Sequence, residues 1–219
     1  MEREAVKRMR LSRDFFAQDT LTVAQALLGQ RLVRRWNGRQ LAGRIVEAEA
    51  YIGEQDKGCH ASVGRTRRNE VMYGPPGHAY VYFTYGMHWM FNVVTEAEGF
   101  PAAVLVRALE PLEGIATMER NRMRRAVFEL CSGPAKLAQA LRITRELNGV
   151  DLCARRGAEL WLEDALPISD DDIATGPRIG LNHTPEPWKS MPWRFCMQGS
   201  PFVSKPTPDR MRSGRTTDS

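Results

Sequence analysis

Residues 31–52 read RLVRRWNGRQLAGRIVEAEAYI, two β-like runs joined by Asn37-Gly38. Asn-Gly tolerates the positive φ angles that a two-residue hairpin turn demands, so the stretch reads as a β-hairpin. In its second arm, residues 43–52 (GRIVEAEAYI), successive side chains point to opposite faces. Glu47, Glu49 and Tyr51 therefore share one face, and Val46, Ala48, Ala50 and Ile52 share the other. The small apolar face reads as packing. On pattern alone the carboxylate row reads as a solvated strand face. If the strand is instead covered on both sides, that row requires partners.

Outward from the hairpin, residues 78–84 (HAYVYFT) and 88–94 (HWMFNVV) flank a short turn at Tyr85-Gly86-Met87, and residues 102–109 (AAVLVRAL) form a further buried strand. Residues 20–29 (TLTVAQALLG) have a Thr or Asp start, helical apolar spacing and a Gly stop. A second helix is expected over 112–125, with Glu early and Arg late as the helix dipole favours. A third runs from Ser132 to Leu141, capped by Ser132 with Pro in its first turn. Short strands are expected at 159–162 and 194–197. No repeat or dividing linker interrupts the chain. The expectation is one mixed α+β domain over residues 11–204, with a flexible N-terminal arm (1–10) and a flexible basic tail (205–219).

Composition narrows the function. The chain has 219 residues, 42% hydrophobic and 26% charged, an ordinary globular mix at the length of one domain. Its 18 Gly and 13 Pro are scattered, against fibrous or disordered classes. No stretch approaches the ~20 apolar residues of a membrane span, and residues 1–13 lack the apolar core of a secretory signal. An intracellular protein follows, with Cys59, Cys131, Cys153 and Cys196 as reduced thiols. None of them forms C-x-x-C, so a structural zinc site is not indicated. A net charge of +5 favours polyanionic partners. Residues 57–69 carry Lys57, Arg65, Arg67 and Arg68 with no acid, while a second cluster, Arg120, Arg122, Arg124 and Arg125, reads equally well as a solvated face.

The candidates for chemistry are few. His60 sits in a loop of small residues ahead of the first Arg cluster, a setting for phosphate binding, although a lone loop His is usually a surface His. Tyr80 and Tyr82 share a strand face; core packing explains Tyr80 and Phe83 better than it explains Tyr85. Tyr85 lies at a hairpin tip beside Gly86, placed to wedge into a base stack. Arg107 interrupts an apolar strand and needs a counter-charge, for which the carboxylate row is available. G-x-S-x-G, P-loop, H-E-x-x-H and G-x-G-x-x-G motifs are missing, against a serine hydrolase, a P-loop NTPase, a zincin and a dinucleotide oxidoreductase. The residues alone leave three readings open: a base-excising glycosylase, a metal-dependent nuclease using Glu47, Glu49 and Asp56, and a non-catalytic nucleic-acid reader that stacks bases on Tyr and Arg.

Taken together the segments resemble the alkyladenine (3-methyladenine) DNA glycosylase family, the mammalian type and its bacterial relatives. The carriers are LLGQRLVRR (27–35), GRIVEAEAYIG (43–53), CHAS with the RTRRN that follows, MYGPPGHAYVYFTYGMHWMFNVV (72–94), VLVRALEPLEG (104–114), LCSGPAKL (130–137) and PRIGLNH (177–183). The resemblance implies a curved, mainly antiparallel sheet with surrounding helices and a protruding β-hairpin. It implies base excision repair: a damaged purine of the 3-methyladenine, 7-methylguanine, hypoxanthine or ethenoadenine class is flipped from double-stranded DNA. Hydrolysis of its N-glycosidic bond then leaves an abasic site. By matching position, Glu49 is the general base, and Arg107 and the backbone carbonyl of Ile179 orient the water. Tyr51, His60 and Tyr82 line the base pocket, Asn92 rejects the 2-amino group of guanine, and Tyr85 fills the vacated stack. Arg65, Arg68, Lys136 and Met72 contact DNA, and Glu47 is structural. With no lysine in the nucleophile role, lyase activity is not expected, nor is a metal or organic cofactor. The resemblance further implies a monomer without membrane association, cytoplasmic with the nucleoid if bacterial and nuclear if eukaryotic. Relatives usually carry Pro where this chain has Arg67, a departure that adds charge and changes loop stiffness.

Overall fold

In the computed structural model, which describes residues 8–205, the longest strand is β2 (Arg39–Ile52), 14 residues that form the spine of the sheet. β1 (Arg31–Trp36) pairs antiparallel with the first half of β2, across a turn in which Asn37 and Gly38 both have positive φ, 48° and 69°. On the other side β5 (Ala102–Glu113) runs antiparallel along most of β2. β8 (Arg194–Met197) pairs with the second half of β2, from Glu47↔Cys196 to Glu49↔Arg194. The sheet therefore forks along its spine.

The other strands are β3 (Ala79–Thr84), β4 (His88–Val94), β6 (Leu160–Glu163) and β7 (Ile173–Gly176). The order is β3-β4-β5-β2-β1-β6, with β7 pairing β8, and every ladder is antiparallel. β3 and β4 form the second hairpin, and its tip stands clear of the body, with Tyr85 81% exposed.

The helices are α1 (Arg13–Phe16), α2 (Thr20–Ala26), α3 (Ile115–Arg122), α4 (Val127–Leu130) and α5 (Pro134–Ala140). The Asp19 side chain caps α2 by accepting from the Leu21 and Thr22 amides. Ile45, Ala48 and Ala50 of β2 and Val104 and Val106 of β5 pack with Leu27, Met118 and Leu137 in the main core. This corrects the expected apolar face. Register shifts at Ile45/Glu47 and Glu47/Ala48 break the alternation, so Val46 packs instead with Ala108, Cys196 and Val203.

Two helix expectations shift. β5 runs on to Glu113, so α3 begins at Ile115 and not at 112. Gly114 makes the corner at φ 73°, where an added Cβ would lie 2.4 Å from the Leu41 side chain. α5 is not capped by Ser132: Gly133 holds the cap position, and the Ser132 hydroxyl accepts from Lys136 Nζ at 3.1 Å. At the N-terminal end, the Met9 amide donates to Asp164 and Arg10 bridges Glu163. The rest of the expected flexible arm (1–7) and all of the tail beyond residue 205 lie outside the described residues. All four cysteines are free thiols. Among the described residues no helix is long and apolar enough to cross a membrane.

Candidate active site

The carboxylate row of β2 is fully buried: Glu47 and Glu49 are each 0% exposed. The expectation of a solvated face fails because the Arg194 side chain and Ser204 close over Glu47, and Tyr51, Arg107 and Ile179 close over Glu49. Burying a carboxylate is costly unless charge and hydrogen bonds compensate it, and both are compensated. Glu47 accepts from Arg107 Nε (3.0 Å), Arg194 Nε (2.7 Å), and the Ser204 amide and hydroxyl (2.8 Å each). Glu49 accepts from the Tyr51 hydroxyl (2.9 Å), Arg107 Nη1 (3.1 Å) and the Ile179 amide (2.7 Å). Arg107 thus finds the counter-charge its strand requires, twice over. Burial lowers its pKa, but Glu49 and Glu47 outweigh that and hold the guanidinium above its ordinary value.

The two acids differ in where their donors lie. A carboxylate accepts about four hydrogen bonds. Glu47 receives four, three of them on Oε1, from Arg107, Arg194 and Ser204, whereas Glu49 receives three, two on Oε2 and one, from Ile179, on Oε1. Glu49's donors Tyr51, Arg107 and Ile179 all line a cavity of about 330 Å³. That volume lies at the small end of ligand pockets. Aromatic rings of Tyr51, His60, Tyr80 and Tyr82 wall it, with Met72, Met90 and Leu105 between them.

His60 opens a 3-10 turn (His60–Val63) that Asn69 pins by donating to the His60 and Gly64 carbonyls. Its Nδ1 lies 2.8 Å from the Tyr80 hydroxyl and its ring meets Tyr82 edge-on at 4.4 Å. Burial, and then Arg68, push His60 down to about 4, so the imidazole is neutral near pH 7. Burial and the Glu49 charge push the Tyr82 phenol up to about 12 and raise Tyr51 well above the ordinary value, so both remain protonated donors. Asn92 is buried, lines the cavity and donates to the Tyr80 carbonyl at 3.0 Å.

Arg107, Ile179, Tyr51, His60, Tyr82 and Asn92 line one cavity, with the exposed Tyr85 also on its lining, while Glu49 does not line it and lies behind its donors Tyr51, Arg107 and Ile179. Arg68 lies against the hairpin, donating to the Phe83 carbonyl with its guanidinium over the Tyr82 ring. Lys136 sits on the first turn of α5, two residues from Pro134, which lines the cavity. Arg65 is exposed and pairs with Glu70, and Arg67 is exposed beside it. Met72 departs from its expected place on the DNA surface: it is 2% exposed, buried in the cavity wall among Cys59, Tyr73 and Tyr80. The grouping of Glu47, Glu49 and Asp56 does not form, because Asp56 is engaged by Arg178, and among the described residues no three His, Cys, Asp or Glu side chains are placed to hold a metal. Two participants were not expected: Tyr80 as the partner of His60, and Arg178 beside Tyr51. The Tyr80/Tyr82 pairing on one face and the PRIGLNH segment carried both signals.

A sequence profile of the methylpurine-DNA glycosylase family matches residues 14–201. The chain belongs to this family. It is 51% identical over 197 residues to a protein of Carboxydothermus hydrogenoformans, covering 90% of this chain and 100% of the relative. It is 52% identical over 199 residues to one of Methanocella arvoryzae (90% and 97%), and 50% identical over 196 residues to one of Chlorobaculum parvum (89% and 90%). All three are provisionally named 3-methyladenine DNA glycosylases. As a member the chain is a DNA glycosylase, a hydrolase of DNA repair, and every residue lining the cavity falls within the matched span.

Proposed function

We propose that this DNA glycosylase removes damaged purines from duplex DNA with water activated by Glu49, leaving an abasic site. The observation that carries the reading is a buried carboxylate whose three hydrogen-bond donors, Tyr51, Arg107 and Ile179, all line a ring-walled cavity. Flipping a nucleotide costs a few kcal/mol and least where pairing is already damaged; the exposed Tyr85 occupies the gap it leaves. Alkylated purines are electron-poor and often cationic, and the faces of Tyr51, His60 and Tyr82 suit such rings.

Hydrolysis then follows. Arg107 and the Ile179 carbonyl orient a water at Glu49, which takes a proton as the water oxygen bonds to C1′. The glycosidic C1′–N bond breaks and the purine departs with its electrons. The carboxylate also stabilises the positive charge that develops on the sugar. A cationic base leaves as a neutral molecule. Asn92 opposes the 2-amino group of guanine and so protects normal purines. Arg65, Arg68 and Lys136 contact backbone phosphates without reading sequence.

Among the described residues no lysine lines the cavity, which supports a monofunctional enzyme that forms no Schiff base with DNA. It works as a monomer inside the cell. The test is a panel of duplexes, each with one modified purine, incubated with and without EDTA and borohydride. Breaks that appear only after alkali, persist in EDTA and leave no trapped covalent complex are expected. Strand cleavage without alkali, loss of activity in EDTA or a trapped adduct would overturn the reading.

A further inference from the structure

Beside the catalytic carboxylate lies a buried ion pair with no part in the mechanism above. Arg178 and Asp56 have side chains 0% exposed and meet bidentately, at 2.5 and 2.8 Å. The same guanidinium donates to the Ala50 carbonyl (2.9 Å) and the Trp188 carbonyl (3.3 Å). It is also flanked by the rings of Tyr51 (4.7 Å) and Trp193 (5.0 Å). Asp56 in turn accepts from the amides of Ile52 (3.2 Å) and Gly58 (2.9 Å). Packing at this point is close: a Cβ on Gly58 would lie 2.9 Å from Arg178 Nη2 and 2.7 Å from the Leu181 side chain.

One planar group therefore ties together the end of β2, the 56–58 loop leading to His60, and the 188–193 segment. The residue after it, Ile179, donates its amide to Glu49 at 2.7 Å. An arginine suits this task because its rigid fork fixes two directions at once while its faces stack, which a lysine cannot reproduce.

We infer that Arg178, locked by Asp56, is a positioning residue for the hydrolytic step: it holds the Ile179 amide against Glu49 and so sets where the carboxylate faces the cavity. The inference rests on the reading that Glu49 activates the water. A displacement of about 1 Å at such a group costs on the order of 10²-fold in rate. The binding surface, by contrast, lies on the hairpin, the Arg65–Arg68 loop and α5.

Arg178→Lys keeps the charge and loses the fork; Asp56→Asn keeps the volume and loses the charge. In single-turnover assays both should excise on the order of 10²-fold more slowly, with affinity for the lesion duplex unchanged and thermal melting above the assay temperature. Because the effect passes through Glu49, adding Arg178→Lys to Glu49→Gln should lower the residual rate no further. Wild-type rates in both variants, parallel losses of rate and affinity, multiplying effects in the double variant, or failure of both single variants to fold would each overturn the inference and leave the pair a structural one. If the wild-type chain itself excised no modified purine, the proposed function would fall first. Normal wild-type excision with an unaffected Arg178→Lys would remove this inference alone.

Discussion

Glu47 and Glu49 stand two residues apart on one strand and receive different environments. Glu47 is closed by two arginines and Ser204, whereas Glu49 is held by three donors that themselves line the cavity. The spacing of the pair and the need of Arg107 for a counter-charge were legible in the chain. Their burial was not, because the cover comes from distant segments, Arg194 and Ser204 over Glu47 and Arg107 and Ile179 over Glu49, and no local pattern announces it. His60 carries a pH prediction at this scale. Its folded value is about 4 against an ordinary 6.5, depressed by burial and then by Arg68. As pH falls, the unfolded chain binds the proton first. The contribution of the neutral ring is therefore complete above about pH 6.5 and is lost as pH falls toward 4. Melting curves should show wild type losing more stability than His60→Gln across that window; parallel curves would contradict the assignment.

At the scale of elements, the β3–β4 hairpin presents Tyr85 at φ 51° next to Gly86 at φ 67°, a turn that aims an 81% exposed ring outward. Tyr85→Ser should leave stability within about 0.5 kcal/mol, since the ring packs on little. Stacking on a base is worth about 1–3 kcal/mol, so lesion-duplex affinity should fall by roughly 5- to 150-fold. Equal affinity would remove the wedge. Turn chemistry made this hairpin and the Asn37-Gly38 hairpin readable. The start of α3 was not, because the polar end of β5 resembles a helix entry until Gly114 is seen to turn the corner. α1, α4 and β7 have four residues each, and unlike the equally short β6 and β8, whose apolar runs LWL and FCM stand out, they carry no run or period that marks them. The bulges around Glu47 were invisible for another reason: they arise from pairing with β5 and not from β2 itself.

Across the whole molecule, the forked sheet gathers the site from parts far apart in the chain: β2 and β5 bring the acid and its arginine, the 58–60 loop and hairpin bring the rings, and residues 179–181 close the wall. The mixed α+β class was readable from strand-like runs grouped over 31–109 and followed by helical ones. The strand order was not, since it depends on pairings between distant segments. Arg65, Arg68 and Lys136 as phosphate contacts predict that binding weakens with salt, each contact adding about 0.9 to the slope of log affinity against log salt. A slope near −3, reduced by about 1 in Arg68→Ala, is expected from fluorescence anisotropy; a salt-independent affinity would remove these contacts. The most direct test of the central claim is single-turnover excision of one modified purine by wild type and Glu49→Gln, with duplex affinity measured alongside. The variant should bind the lesion as wild type does and excise it slower by several orders of magnitude. Undiminished excision by Glu49→Gln would contradict the account.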